Sequence, residues 1–446
     1  MTTSFEKLRP TLIRNLSAVS LHKVVQVAGL IATVALVPRL FGAEDYGRFA
    51  FVLSLSYLGQ VLGDFGTLDV MGRFTPGLAH GEASRLYMRH LAFKGVVGAV
   101  CGLISAIAAL ALSEWMRPDW AILTGLSVGL HIVAWVPFQF SLGLNRVGIW
   151  MSEQVWRQWV LLLLLLALLP PLGLSGALLA LVVMELIFCV VGLWAARDYW
   201  HSSELRFEWP YLRPYLRFGL GFFLANLAAV ALYRSGPLLV ETLTGEATQT
   251  GYFNLAIGLF LLAYVTTGQF AQSLIPNLSD FYNRGQVEQM GHWLNNFVRA
   301  GWLLAWLGVI TVWAVADWAT PLVFGADFAP AAAALKWISL GMPLAVLLWA
   351  ANVTATVTGK GTLKFAASLA ALAIFGVMAL ILIPLRGAAG ASLALGAAVL
   401  ANVVVLVLFL RPEFKLKWGL LLVIVSISIV CLVGVIWLEK WGAYGI

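Results

Sequence analysis

The chain is short of charge. Only 11% of its 446 residues are Asp, Glu, Lys or Arg, against about 25% in a soluble domain, while 61% are hydrophobic. A water-dispersed globule of this length is excluded, because too little polar surface remains to cover it. Cysteine is scarce as well. Cys101, Cys189 and Cys431 all lie inside apolar runs, which excludes a disulfide framework and a zinc site. There is no Walker A lysine loop, no H-E-x-x-H and no nucleophile elbow. No segment between apolar runs is long enough for a soluble catalytic domain. An enzyme is therefore not expected, nor a cofactor, a metal or a nucleic-acid partner. The net charge of +7 has a simpler reading, since lysine and arginine gather in the cytoplasmic loops of membrane proteins.

What is present in quantity is long apolar runs. Taking about 20 residues per helical span, thirteen candidates emerge: 16–38, 46–68, 91–113, 120–144, 150–172, 174–196, 216–240, 250–274, 296–318, 332–357, 363–384, 388–410 and 417–438. The first follows Lys7, Arg9 and Arg14. It is too long for a signal-peptide core and ends without an A-x-A site, so it reads as retained. With the N-terminus in the cytoplasm, nineteen basic residues fall in inner segments, six in outer segments and three (Lys23, Arg157, Arg234) within spans. That bias sets the orientation. The inner connections at 69–90 and 275–295 mix basic and apolar residues as interfacial helices do. Most of the nineteen tryptophans sit at span ends, where an aromatic belt is expected. Gly98/Gly102 and Gly125/Gly129 have the spacing that lets helices approach closely.

The chain also repeats itself. LFGAEDYGRF (Leu40 to Phe49) is echoed by LTGEATQTGYF (Leu243 to Phe253), and more weakly by VFGADF (Val323 to Phe328). Thr75-Pro76 and Ile275-Pro276 follow as helix breakers, with Gly81 and Gly285 as turn glycines. Six spans separate the two main copies, so both lie on the same side. The expected fold is all-α and polytopic: two parallel six-helix bundles (1–212 and 213–411) of twelve core spans, with an extra C-terminal span and tail in 412–446.

Polar groups inside spans need a reason. Lys23, beside His22 in span one, and Arg234, in span seven, occupy corresponding helices, and Arg48 opens span two. If those helices share a cleft, its wall is cationic and suits a phosphate or pyrophosphate. The plainer readings are a snorkelling Lys23, an interfacial anchor at Arg48 and a structural Arg234. Glu185, in LVVMELIF, and Asp64, in GDFG, are candidates for binding a coupling proton or sodium ion. Glu185 could instead satisfy His131 or Arg157, and Asp64 could be a helix-end residue. Glu153 and Arg157, one turn apart, read as an intrahelical pair.

VPRLFGAEDYGRFAFVLSL followed by GDFG resembles the opening of polysaccharide-biosynthesis flippases of the O-antigen (Wzx) type, in the multidrug/oligosaccharidyl-lipid/polysaccharide exporter superfamily. TGYFNLA with LIPNLSD, PLVFGADFAPAAAALKWIS and RGAAGASLALG are similar to later parts of the same pattern, and the likeness spans roughly residues 10–410. The resemblance implies a V-shaped pair of bundles with alternating access in a bacterial inner membrane. It implies an undecaprenyl-pyrophosphate-linked oligosaccharide as cargo, flipped to the outer leaflet for O-antigen, exopolysaccharide or capsule synthesis. Membrane lipids, a coupling ion and a polysaccharide polymerase would be its partners. Members often carry an acidic residue late in span seven; here Arg234-Ser235-Gly236 stands in that region. The thirteenth span is a second departure. A multidrug exporter on the same fold is the alternative, although its cationic cargo fits Lys23 and Arg234 poorly. A membrane polymerase or ligase would need a large outer loop that this sequence lacks.

Overall fold

The computed structural model describes the backbone of residues 2–410 and the side chains from Val25 onward, those of Ala225, Ser273 and Pro276 apart. His22, Lys23 and the thirteenth span at 417–438 lie outside the residues so described. The described fold is all-α. In chain order the helices are α1 (Thr2–Leu62), α2 (Thr67–Phe74), α3 (His80–Leu112), α4 (Pro118–Gly143), α5 (Val147–Ala195), α6 (Trp209–Arg234) and α7 (Gly236–Thr244). They continue with α8 (Ala247–Ser273), α9 (Ile275–Asn283), α10 (Val287–Phe324), α11 (Ala331–Ser339), α12 (Gly341–Val357) and α13 (Gly361–Phe409).

Among the described residues nine helical segments are long and apolar enough to cross a membrane, so this is a multi-pass membrane protein. Three of them, in α1, α5 and α13, are each broken by one left-handed glycine: Gly42 (φ 73°), Gly173 (φ 56°) and Gly387 (φ 53°). Only glycine takes that conformation without steric cost, and each break falls between two of the apolar runs. The twelve core spans of the sequence are thereby recovered. Span seven differs from its expected form, because it is divided at Ser235 into α6 and α7. Pro237 opens α7, where its missing N–H costs nothing, whereas inside a continuous helix it would clash.

The chain divides into two compact units. Residues up to Asn254, with Val323–Asp327, form one; Leu255–Leu322 and the described residues from Phe328 onward form the other. In the first unit α3 and α4 cross at their small residues. A Cβ on Gly98 would lie 2.8 Å from the Gly129 carbonyl oxygen, and one on Gly102 2.6 Å from that of Gly125. Close backbone approach of this kind is what such spacing provides in membranes.

The sequence echo turns out to be a packing device. Gly42 and Gly245 (φ 68°) both take the left-handed conformation, and the helices that follow them cross each other. A Cβ on Gly47 would overlap the Ala247 carbonyl, and one on Gly251 would overlap the Ala43 carbonyl. Equivalent residues of the two copies thus meet reciprocally. The third echo joins them: Asp327 Oδ2 lies 3.7 Å from where a Cβ on Gly42 would be.

Two details of the repeat need correction. The left-handed counterpart of Gly285 (φ 71°) is Gly77 (φ 82°), not Gly81, which lies in the first turn of α3. The proline breakers also act oppositely, since Pro76 follows the end of α2 whereas Pro276 sits in the first turn of α9. The short helices α2 and α9 occupy the two connections expected to hold interfacial helices.

Candidate functional site

The first unit holds a partly open polar cavity of about 340 Å³, lined from α1, α3, α4, α5 and α6. Local backbone features fix its floor. After Leu62 the chain turns through Gly63-Asp64-Phe65-Gly66, with Phe65 (φ 48°) and Gly66 (φ 68°) left-handed. Gly66 and Gly219 lie backbone to backbone, so α6 passes directly against this turn. The Phe65 ring stacks on Phe223 of α6, with centroids 5.2 Å apart, and meets Phe93 of α3 edge-on at 5.6 Å. Lys94 completes the turn. Its buried ammonium donates to the carbonyls of Gly63 and Asp64, each at 2.5 Å, and so satisfies acceptors that the end of α1 leaves open.

The cavity wall carries Asp64, Lys94, Glu153 and Arg157, whose formal charges cancel. Its character therefore comes from amides: Gln26, Gln60, Gln139, Gln154, Gln158 and Asn226, with Tyr57 and Trp135 as aromatic surfaces. A smaller cavity of about 50 Å³ adjoins it through shared residues, Tyr57, Gln60, His131, Arg157 and Gln158, and is also lined by Glu185. The larger cavity thus offers many donors and acceptors with balanced charge, and Glu185 beside it leaves the pair of cavities one formal negative charge.

Between the two cavities lies a buried ionic cluster. Arg157 of α5 donates to Glu153 one turn before it and to Glu185 Oε1 in the second half of the same broken helix. His131 Nδ1 lies 3.1 Å from that same Oε1. Glu185 is 2% exposed, and its other oxygen, Oε2, has no hydrogen-bond partner. Glu153 and Arg157 form the expected pair. Of the two partners expected for Glu185, His131 and Arg157, both are present.

The other sequence candidates are placed as follows. Asp64 is a helix-end residue, as one of its two readings expects, and it also lines the cavity. Burial first, and then the charge of Asp64, push the carboxyl of its neighbour Asp69 above the ordinary range. Arg48 is engaged away from the cavity. It bonds Glu44 at 2.5 Å and Asp45 at 3.1 Å and lies over the Trp115 ring. Arg234 ends α6, where a cation complements the helix dipole, and its guanidinium stacks over Tyr57 at 4.1 Å. It therefore contacts a wall residue of the cavity, Tyr57, without lining the cavity itself.

Sequence reading missed Lys94, which it counted as an inner-side basic residue, and the amides. A signal for the amides exists: Glu153, Gln154, Arg157 and Gln158 form an i, i+4 polar stripe in an otherwise apolar run.

Elsewhere in this unit the connection after α5 is clamped to α3. Arg89 bonds Glu204 at 3.1 Å and Glu208 at 2.7 Å and stacks on Tyr211, while Arg85 adds a second bond to Glu204. Desolvation alone would raise the Glu204 carboxyl, but hydrogen bonds and charge from Arg89 and Arg85 outweigh it and hold it below the ordinary value.

Residues 12–282 match a family model described as polysaccharide biosynthesis protein. No curated protein matches the sequence. Among solved structures, the lipid II flippase MurJ in an inward closed conformation aligns with a TM-score of 0.74 at 13% identity, over 96% of this chain and 93% of that one. An inward-facing multidrug resistance MATE family transporter of the MOP superfamily aligns with 0.68 at 15% identity, over 88% and 94%. A MOP superfamily transporter from Pyrococcus furiosus aligns with 0.52 at 14%, over 90% and 93%. These likenesses show the shared transporter fold.

Proposed function

Because this chain belongs to the polysaccharide biosynthesis protein family, we propose that it flips a lipid-linked oligosaccharide from the cytoplasmic to the outer leaflet of a bacterial inner membrane by alternating access, without catalysing a covalent reaction. In this reading two six-helix bundles, 1–212 and 213–411, rock about the cargo, the N-terminus is cytoplasmic, and the lipid tail stays in the bilayer. The observation that carries it is the amide-lined cavity with two aromatic surfaces and cancelling charges. Sugar hydroxyls are neutral and need both donors and acceptors, which glutamine and asparagine supply together.

The pyrophosphate head of the cargo would be met by Arg234, whose described contact is the Tyr57 ring, and by Lys23. The cavity's own cations are already engaged, Lys94 by backbone carbonyls and Arg157 by two carboxylates. Arg48, paired with Glu44 and Asp45, is a weaker candidate for the head group, as is His22. The cargo's negative charge also makes the step sensitive to the membrane potential, at about 2.3 kcal/mol per charge for 100 mV.

The test is export of surface polysaccharide, or movement of a labelled lipid-linked oligosaccharide in proteoliposomes. Arg234→Ala and Lys23→Ala, properly inserted, are expected to reduce it strongly. Full activity in both would remove the cationic contribution. A multidrug exporter is the second reading, favoured by the carboxylates Asp64 and Glu153 on the cavity wall. Resistance to cationic drugs on expression, with no oligosaccharide movement, would select it.

A further inference from the structure

We propose that His131 is the proton-binding residue through which a proton gradient drives this transporter, a step that rests on the transport reading above. The cluster of Glu153, Arg157, Glu185 and His131 is buried between two cavities. Two carboxylates against one guanidinium leave it one negative charge when the imidazole is neutral, and none when His131 carries a second proton. An uncompensated charge inside a membrane bundle is costly, so this cluster has a reason to take up a proton.

The geometry selects which member receives it. Glu185 Oε1 accepts from both Arg157 and His131 Nδ1. An ionised carboxylate is acceptor-only, so Nδ1 carries the hydrogen and Nε2 is the nitrogen that gains or loses a proton. A proton arriving on Oε1 would displace one of these bonds, and one on Oε2 would place an O–H at a buried atom with no acceptor beside it. One arriving on Nε2 displaces neither bond and faces the cavities. The imidazole ring lines both the large cavity and the small one, which gives it a route to the bulk. Arginine on the same oxygen opposes a sodium ion there and leaves a proton as the coupling species.

Other groups face the site from every neighbouring helix. Trp135, tilted over the imidazole at 5.4 Å, and Ser127 come from α4 itself, Tyr57 from α1, Asp64 from the turn that follows α1, and Lys94 from α3; α6 contributes the non-titrating Asn226. Asp64 and Lys94 are opposite in charge, so the cluster's own imbalance dominates. In this scheme Glu185 orients and attracts the proton, and His131 carries it.

Two readouts test the assignment. Isotope-labelled histidine NMR of the full chain in lipid nanodiscs should show one of the six histidines passing from the Nδ1–H neutral form to the doubly protonated form on acidification across the range in which the protein stays folded, the signal that His131→Gln removes. Should that variant fail to fold, replacing the other five histidines in turn makes the assignment. In proteoliposomes, wild-type transport of the labelled lipid-linked oligosaccharide should rise several-fold under an imposed pH gradient. His131→Gln, which can keep a hydrogen bond to Glu185, should transport at the ungraded rate with or without the gradient. An imidazole that stays neutral across the range, or a gradient response preserved in His131→Gln, overturns the proposal. If wild-type protein moves no lipid-linked oligosaccharide, the cargo reading fails and the NMR titration alone decides the proton site.

Discussion

The first unit holds a cavity of about 340 Å³ lined by amides and charges. The second holds a larger groove of about 670 Å³ lined from α8, α10 and α12 by residues such as Phe260, Phe297, Leu304 and Met342. Tyr264 is the one titratable side chain among the groove's lining residues, and its carbonyl accepts a hydrogen bond from Trp349 at 2.9 Å. The repeat copies turns and crossings but not chemistry. Left-handed glycines recur in both halves, whereas the buried ion cluster belongs to the first alone among the described residues. Duplication therefore locates the frame, and only the non-duplicated polar residues locate the site.

The strongest way to break this contrast is Arg157→Ala. It would leave Glu153 and Glu185 buried without their cation, a loss of about 3–5 kcal/mol, read as a collapse in yield and thermal stability in detergent. Adding Glu153→Gln and Glu185→Gln should restore part of that stability. No recovery would mean that the arginine acts through packing rather than charge. Next come Gly47→Leu and Gly251→Leu, each of which forces apart the reciprocal crossing at a cost of about 1–3 kcal/mol. Gly308→Ala, beside the apolar groove and with Met342 Sδ no nearer than 3.9 Å to the new Cβ, should change melting by less than about 0.5 kcal/mol. Equal effects at all three positions would dismiss the crossing as a special contact.

A functional contrast follows at lower cost to the fold. Gln60→Ala, Gln154→Ala and Gln158→Ala should each reduce oligosaccharide movement several-fold with melting unchanged, while Thr266→Val in the groove leaves movement intact. The reverse pattern would move the cargo site to the second unit. The smallest effect belongs to the clamp on Glu204. Its carboxyl is held below the ordinary value, so its contribution is present above the unfolded-state pKa, near 4.3 for glutamate. That contribution is lost as pH falls through the lower folded-state value. Glu204→Gln should therefore lower melting slightly at pH 7 and make no difference once the wild-type carboxyl is protonated. A variant gap that persists unchanged into acid would refute the ionic clamp.

The spans were legible because about twenty apolar residues between turn glycines admit little else, and Gly42, Gly173 and Gly387 fall where the runs divide. The Glu153–Arg157 pair was legible from helical spacing, and Glu185 from its isolation in LVVMELIF. Lys94 was not. It lies in a 33-residue helix longer than a membrane is thick, and hydropathy does not say which turns of such a helix are embedded. The division at Ser235 was hidden because Gly236 and Pro237 sit inside a run whose average hydropathy stays high. The cavity itself depended on six amides from four helices, which no local window brings together.

The single-glycine turns have a consequence for where the molecule can be labelled. Each joins an odd-numbered span to the even-numbered one after it, so by alternation they share one face of the membrane, with the connections at Ser113–Arg117 and Gly245–Glu246. Among the described residues that face carries only these short turns and the residue 325–330 connection, and an epitope tag inserted at Gly173 would have to pry two spans apart. The residue 197–208 connection, on the opposite face, is where a label can be added without touching the bundle.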